Sequence, residues 1–251
     1  MRLDQLLVEL NYFESRSKAI REIKNDAIKV NGKIINKPSF DCNYDDEIII
    51  CKETLRYVSK GGLKLEGAIS EFNLDFNNKV VLDIGASTGG FTDCALQHGA
   101  KLVYSVDVGS NQLHESLLKN DHVISLENTN ILDLPVFDNR IDIIVTDVSF
   151  VSINHILPAI KHYFIDAEYA VILIKPQFEV GNIKIKNGIV KDLKEHVRVL
   201  DNVYNYLAQE GLFIEKVSKS IELGRNGNQE YVALVKKTYS YKPDFKKIVY
   251  W

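Results

Sequence analysis

The chain reads as an α/β protein in two parts: a small α+β unit at the amino terminus, then a mostly parallel, doubly wound sheet closed by an antiparallel hairpin. Three observations predict this. From about residue 63 onward, hydrophobic strand candidates alternate with helical stretches, the pattern of successive βα units. The last two strand candidates follow each other with no room for a crossover helix, so they pair antiparallel. The first fifty or so residues instead combine short helices, an Asn-Gly turn and a local excess of basic residues. With 251 residues, 45% hydrophobic and 26% charged, the chain has the composition of an ordinary globular protein and room for one domain of typical size plus a small one.

In the amino-terminal part, Leu3, Leu6, Leu7 and Leu10 recur at helical spacing and define one face of a short helix. Ser15 is placed to cap a second helix, in which Ala19, Ile20 and Ile23 form the apolar side while Lys18, Arg21 and Lys24 share another. Asn31-Gly32, between runs of β-type residues, signals a hairpin. Up to Lys37 eight basic residues stand against five acidic ones, although the whole chain carries a formal charge of -3. An isolated charge run of this kind is read first as a solvated helix face. The expected boundaries are residues 1–56 for this unit, 57–62 for a linker containing Gly61-Gly62, and 63–251 for the larger domain.

The strand candidates of the larger domain are 79–84, 102–107, 123–126, 141–147 and 169–174, with 212–219 and 231–236 as the closing hairpin. Several classes are excluded. Cys42, Cys51 and Cys94 have no C-x-x-C spacing, which argues against a disulfide framework or a thiolate zinc site and fits a reduced, cytoplasmic location; no metal site is expected. The first ten residues carry Asp4 and Glu9 within their apolar pattern and do not read as a signal peptide. No stretch approaches the ~18 to 20 apolar residues of a spanning helix, so stable membrane insertion is not expected.

The strongest motif is Val81-Leu82-Asp83-Ile84-Gly85-Ala86-Ser87-Thr88-Gly89-Gly90-Phe91. A hydrophobic strand runs into a glycine-rich turn and then a helix, so backbone amides approach a ligand closely. The spacing D-x-G-x-x-x-G-G lacks the second glycine of a dinucleotide fingerprint, and no Gly-Lys-Ser/Thr follows to make a phosphate loop. It resembles the first motif of S-adenosylmethionine-dependent methyltransferases, and with five βα steps closed by a hairpin it implies their Rossmann-like fold. Asp107, at the end of the second strand, is placed to accept hydrogen bonds from ribose hydroxyls. Asn130, Ile131 and Asp133, after the third, offer a polar and apolar mixture suited to adenine.

Residues at the carboxyl ends of later strands face the acceptor. Asp147-Val148-Ser149-Phe150 lacks the prolines common in amino-group methylases, and no Pro-Cys pair offers the thiol that cytosine carbon methylation needs. Lys175 follows the fifth strand, Glu230 opens the last one, and Lys64 starts the helix leading into the first. Two lysines and two carboxylates suit a hydroxyl acceptor. A ribose hydroxyl must lose its proton as the methyl arrives, and a lysine serves as base only when a neighbouring positive charge favours its amine form.

On these residues the chain resembles the TlyA family, whose members carry either a hemolysin name or a ribosomal RNA ribose methyltransferase name. The similarity runs through RLDQLLVEL, SRSKAIREI with VNGK, SKGGLKL, DIGASTGGFTD, DVSF, IKPQFEVG, NGIVKD and GNQEY. It implies an S4-type RNA-binding domain joined to an FtsJ-like methyltransferase domain, with S-adenosylmethionine as cofactor and 2′-O-methylation of a cytidine ribose as the reaction. The implied partner is ribosomal RNA or a ribosomal subunit, the large one foremost, and not DNA. The family's Lys-Asp-Lys-Glu tetrad falls on Lys64, Asp147, Lys175 and Glu230, with Lys175 as base. Cofactor positions fall on Asp83, Gly85, Ala86, Ser87, Gly89, Gly90, Phe91, Asp107, Asn130, Ile131 and Asp133. Under the same resemblance Arg2, Arg16, Lys18, Arg21, Lys24, Lys29 and Lys33 touch phosphates, Lys184, Lys186 and Lys191 hold RNA over the cleft, and Lys60 joins the RNA-binding residues. Two other classes remain open at this point: a membrane-lytic hemolysin, and an RNA-binding assembly factor whose methylase site is inactive.

Overall fold

Leucines 3, 6 and 7 are fully buried along one face of helix α1 (Leu3–Glu9), as their spacing requires. In the computed structural model, which describes residues 1–24, 26–51, 56–134, 136–181, 185, 188–239 and 241–251, this helix opens the first of two units, Met1–Leu55 and Arg56–Trp251. Within the first unit, α1 packs with α2 (Arg16–Lys24) through Ala19 and Ile23. The Ser15 hydroxyl caps α2 by accepting the Lys18 backbone N–H at 3.3 Å. A three-stranded antiparallel sheet completes the unit in the order β2 (Lys33–Ile34), β1 (Ile28–Val30), β3 (Ile48–Ile50). Asn31 and Gly32 both take positive φ, 49° and 76°, so the two-residue turn matches the twist of the strands it joins.

The second unit holds a seven-stranded sheet. Its parallel strands are β4 (Val80–Ile84), β5 (Leu102–Val106), β6 (Val123–Leu126), β7 (Ile143–Thr146) and β8 (Tyr169–Ile174), and its antiparallel ones are β9 (Phe213–Lys219) and β10 (Tyr231–Lys236). The spatial order is β6-β5-β4-β7-β8-β10-β9. Helices α3 (Gly61–Phe72) and α4 (Gly90–Gln97) cover one face, with Leu65, Phe72, Phe91 and Cys94 packed on Val81, Val103 and Val145. The short α5 (Glu115–Leu118) flanks the strand edge. On the other face, α6 (Ile153–Tyr163), α8 (Leu193–Gln209) and α9 (Phe245–Tyr250) pack on Leu82, Ile144 and Ile172, while α7 (Pro176–Glu179) follows β8 directly. Both faces are covered, which explains why the central strands are apolar throughout.

Two features refine the sequence expectation. The closing hairpin does not simply extend the sheet: β10 lies between β8 and β9, so the last strand made is the one that joins the hairpin to the parallel strands. Residues 57–62, expected as a linker, are packed within the second unit. Tyr57 is buried, and Gly61-Gly62 begin α3. A Cβ on Gly62 would lie 2.3 Å from the Tyr57 ring, and one on Gly90 would lie 2.3 Å from Ser59 Oγ and 2.8 Å from the Gly62 nitrogen. The glycines permit α3 and α4 to meet backbone to backbone at their amino ends. Among the described residues no helix is long and apolar enough to cross a membrane.

Candidate active site

The strand order reverses between β4 and β7, and loops leaving those two strands open a crevice at their carboxyl ends. Two cavities adjoin there. The larger, of about 530 Å³, runs from Gly85 and Ser87 past Asp107 to Asn130, Ile131 and Leu132. The smaller, of about 300 Å³, is lined by Lys64, Asp147, Lys175 and Glu230. Gly85, Ser87, Asp147, Ser149 and Phe150 line both.

The larger cavity is built from fixed backbone. Asp107 accepts from the Ser87 N–H at 2.8 Å and the Gly109 N–H at 2.7 Å, so its carboxylate is held rigidly with lone pairs to spare. Glu127 gathers the backbone N–H groups of Asn111, Gln112 and Leu113 and so ties down the next loop; those bonds, led by Gln112 and Leu113, lower its carboxyl pKa. Asn130 caps the following 3₁₀ turn through Leu132 N–H at 3.0 Å. Of the expected cofactor residues, Gly85, Ala86, Ser87, Gly90, Phe91, Asp107, Asn130 and Ile131 line one cavity or the other. Asp83, Gly89 and Asp133 line neither. Asp133 is exposed outside the crevice. Gly89 (φ 95°) serves the turn, since a Cβ there would lie 2.2 Å from Leu117. Asp83 points into the layer beneath the loop, where it accepts the Thr92 hydroxyl at 2.6 Å, and Ser105 Oγ lies 2.7 Å from Thr92 Oγ1. Complete burial pushes the Asp83 carboxyl up to about 7, against the opposing hydrogen bond from Thr92. Val108, Gln112, Leu132 and Val148 line the larger cavity as well.

In the smaller cavity the four expected residues form two ion pairs. Lys64 Nζ lies 2.6 Å from Glu230 Oε2, and Lys175 Nζ lies 2.5 Å from Asp147 Oδ1. Lys64, Lys175 and Glu230 are buried, and Asp147 is half-buried. Each reaches the cavity by a different element: Lys64 from the first turn of α3, Asp147 from the end of β7, Lys175 from the end of β8, Glu230 from the residue before β10. The register that sets Tyr231 opposite Ile174 puts Glu230 beside Lys175. Lys175 also donates to Ser149 Oγ at 2.8 Å and lies 5.9 Å from the Phe178 ring centroid. Phe178 in turn packs on Phe150, at 5.1 Å between centroids. Phe150 is 75% exposed and holds φ at 66°, a strained backbone for a bulky residue. Gln177 is a polar residue of this cavity to which sequence reasoning gave no role. It donates from Nε2 to Glu230 Oε1 at 2.9 Å.

The basic residues of the first unit are more tied down than a solvated face would be. Asp4 is fully buried and accepts from Arg2 Nε at 2.9 Å and Arg16 Nε at 2.7 Å. These bonds, Arg2 first, hold the Asp4 carboxyl below its ordinary range. Both arginine side chains remain about half exposed, so their outer faces stay available. Lys18 pairs with Glu14 one turn away at 3.3 Å. Lys24 and Lys33 are exposed and Lys29 is half-buried. In the second unit Lys191 is exposed, and Lys60 is half-buried at the mouth of the smaller cavity. The Arg21 side chain, Lys184 and Lys186 lie outside the described residues. Cys42, Cys51 and Cys94 are all free thiols.

Comparison with known proteins gives a consistent picture. A family model for FtsJ-like methyltransferases matches residues 57–237, and one for the S4 domain matches residues 1–48. Hemolysin A of Brachyspira hyodysenteriae is 41% identical over 240 residues, covering 93% of this chain and 98% of that protein. The 23S rRNA (cytidine-2′-O)-methyltransferase TlyA of Campylobacter jejuni is 36% identical over 242 residues, covering 86% and 92%. A solved structure from Streptococcus thermophilus that carries the hemolysin name superposes with a TM-score of 0.77 at 40% identity, covering 99% of this chain and 94% of that one.

Proposed function

The chain belongs to the TlyA family, in which an S4 domain precedes an FtsJ-like methyltransferase domain, and from that premise we propose that it methylates the 2′-hydroxyl of a cytidine ribose in ribosomal RNA, using S-adenosylmethionine. The observation that carries this reading is the convergence of Lys64, Asp147, Lys175 and Glu230 in a cavity that shares a wall with the larger one.

The residues of the larger cavity fit S-adenosylmethionine. Asp107 presents a fixed acceptor for ribose hydroxyls, Ile131, Leu132 and Val148 supply apolar surface for a flat base, and the Gly85–Ser87 backbone borders the side nearest the tetrad. When bound, the cofactor supplies a methyl group made electrophilic by its sulfonium. The chain's own residues do the rest. Lys175, in its amine form, takes the proton from the ribose hydroxyl, while Asp147 and Ser149 on either side fix the direction of its Nζ. Lys64, locked on Glu230, places a second positive charge in the same cavity. Seating the hydroxyl between the lysines and the shared wall of residues 85–87 aligns it with the reacting methyl, an effect of proximity as large as the proton transfer itself.

The S4 unit and the exposed faces of Arg2, Arg16, Lys18, Lys24 and Lys33 make the first grip on RNA phosphates, with Lys60 and Lys191 contributing from the second unit. The name of the Campylobacter relative supports the large-subunit RNA as substrate, and free thiols together with a ribosomal substrate support the cytoplasm as the place of action. Nucleoside mass spectrometry of 23S and 16S RNA tests the reading. Cells lacking the protein should lose a 2′-O-methylcytidine from 23S RNA, and an unchanged ribose profile refutes the assignment. Lys175→Ala should lower methyl transfer by about 10²- to 10⁴-fold while S-adenosylmethionine still binds; full transfer by that variant would sink the proposed base.

A further inference from the structure

What Gln177 touches dictates how its amide is turned. Glu230 is almost fully buried and, ionised on Lys64, can only accept, so the group facing its Oε1 at 2.9 Å is the amide NH₂. The amide oxygen is thereby left buried without a partner among the described residues. Most buried side-chain polar atoms find a partner. This amide satisfies the carboxylate and leaves itself wanting, on a residue that is 8% exposed and lines the tetrad cavity.

The surroundings hold it in place. Lys175 is the cap residue of α7 and Pro176 its first residue, with the fixed φ that starts a helix. Glu179, two residues beyond Gln177, accepts the Ser152 hydroxyl at 2.7 Å and the Ile153 N–H at 2.9 Å, which docks α7 on the start of α6. Across the carboxylate, a Cβ on Gly224 would lie 2.0 Å from Glu230 Oε1, so that side is closed to any larger residue. Glu230 is thus gripped by Lys64 on one oxygen and Gln177 on the other.

We propose that Gln177 is a positioning residue: it orients the Glu230 carboxylate and, through it, fixes the Lys64 ammonium in the cavity where the ribose hydroxyl reacts. The role rests on the 2′-O-methylation reading for its purpose but not for its geometry. Two variants of the full chain test it. Gln177→Met, close in size and without a donor, should keep S-adenosylmethionine affinity within about twofold and lose about tenfold in kcat, with little change in KM for RNA. In Gln177→Glu two carboxylates within hydrogen-bond reach share one proton, which imitates the amide donor at the acid end. Its rate should therefore approach the parent's at the acid end of the profile and fall away from it as pH rises. A profile parallel to the parent's overturns the proposal. The ¹⁵N signal of the Lys64 ammonium, sharp while Glu230 holds it, should broaden in Gln177→Met; its persistence unchanged overturns the proposal whether or not the parent methylates RNA. If that signal broadens while the parent yields no 2′-O-methylcytidine, the reaction assignment fails and the positioning role stands. Should Gln177→Glu not fold, the uncharged Gln177→Met carries the test.

Discussion

Each unit buries an aspartate completely, and the two are held in opposite ways. Asp4, on α1, takes one guanidinium from its own helix start and one from α2, so it stays ionised and ties two short helices together. Asp83, the fourth of the five residues of β4, meets Thr92 through both its hydroxyl and its backbone N–H, and burial nonetheless raises its carboxyl to about 7. The difference follows from size. A unit of some fifty residues has little core, and a bidentate charge cluster at its edge supplements what packing cannot provide. The large unit surrounds Asp83 with Thr92, Ser105 and apolar neighbours in a sheet covered on both faces, where desolvation dominates.

The contrast breaks most visibly with pH. Because Asp83 is raised above its ordinary value, the folded state binds a proton that the unfolded chain has released, so stability should fall as pH rises from about 4 through 7 and then level off. By linkage the fall is on the order of 4 kcal/mol. Asp83→Asn, which imitates the protonated acid, should remove most of it, seen as a flattened plot of denaturation midpoint against pH; a variant that keeps the parent's slope would contradict the assignment. Asp4 runs the other way: its contribution is present above its ordinary range and is lost as pH falls through the lowered value. Replacing both partners, Arg2→Met with Arg16→Met, strands a buried carboxylate and should cost about 3 kcal/mol. The loss should appear as faster amide exchange in α1 with the second unit unchanged, and uniform loss across both units would show that the pair is not local. The smallest effect belongs to Lys18, whose exposed pair with Glu14 is worth a few tenths of a kcal/mol. Lys18→Ala should leave melting unaltered while weakening RNA binding and its salt dependence.

The convergence of Lys64, Asp147, Lys175 and Glu230 was legible because Asp147 and Lys175 follow hydrophobic strands, Glu230 precedes one and Lys64 lies in the first turn of a helix, and strand ends are where an open α/β sheet holds ligands. The amino-terminal turn was legible because Asn-Gly has few other conformational uses. What escaped was decided by side-chain direction and strand neighbours. Asp83 belongs to the glycine-rich motif but lies on the strand face that turns into the core, a parity that the motif alone does not reveal. Gly61-Gly62 read as part of a linker because glycine also marks loops; here the absent side chains serve close contact with Tyr57 and Gly90. Gln177 was hidden because its partner lies 53 residues away, on a strand whose place in the sheet no periodicity specifies.

The position of β10 between β8 and β9 has a consequence for the order in which the molecule is made. A chain leaving the ribosome presents β9 first, yet β9 has no strand to pair with until β10 has emerged and inserted beside β8. Lys64, Asp147 and Lys175, and every residue lining the larger cavity, precede β9 in the sequence, while Glu230 comes only with β10. An incomplete chain therefore has a place for the methyl donor and no finished means of using it. The tetrad is complete only once residue 230 has been synthesised.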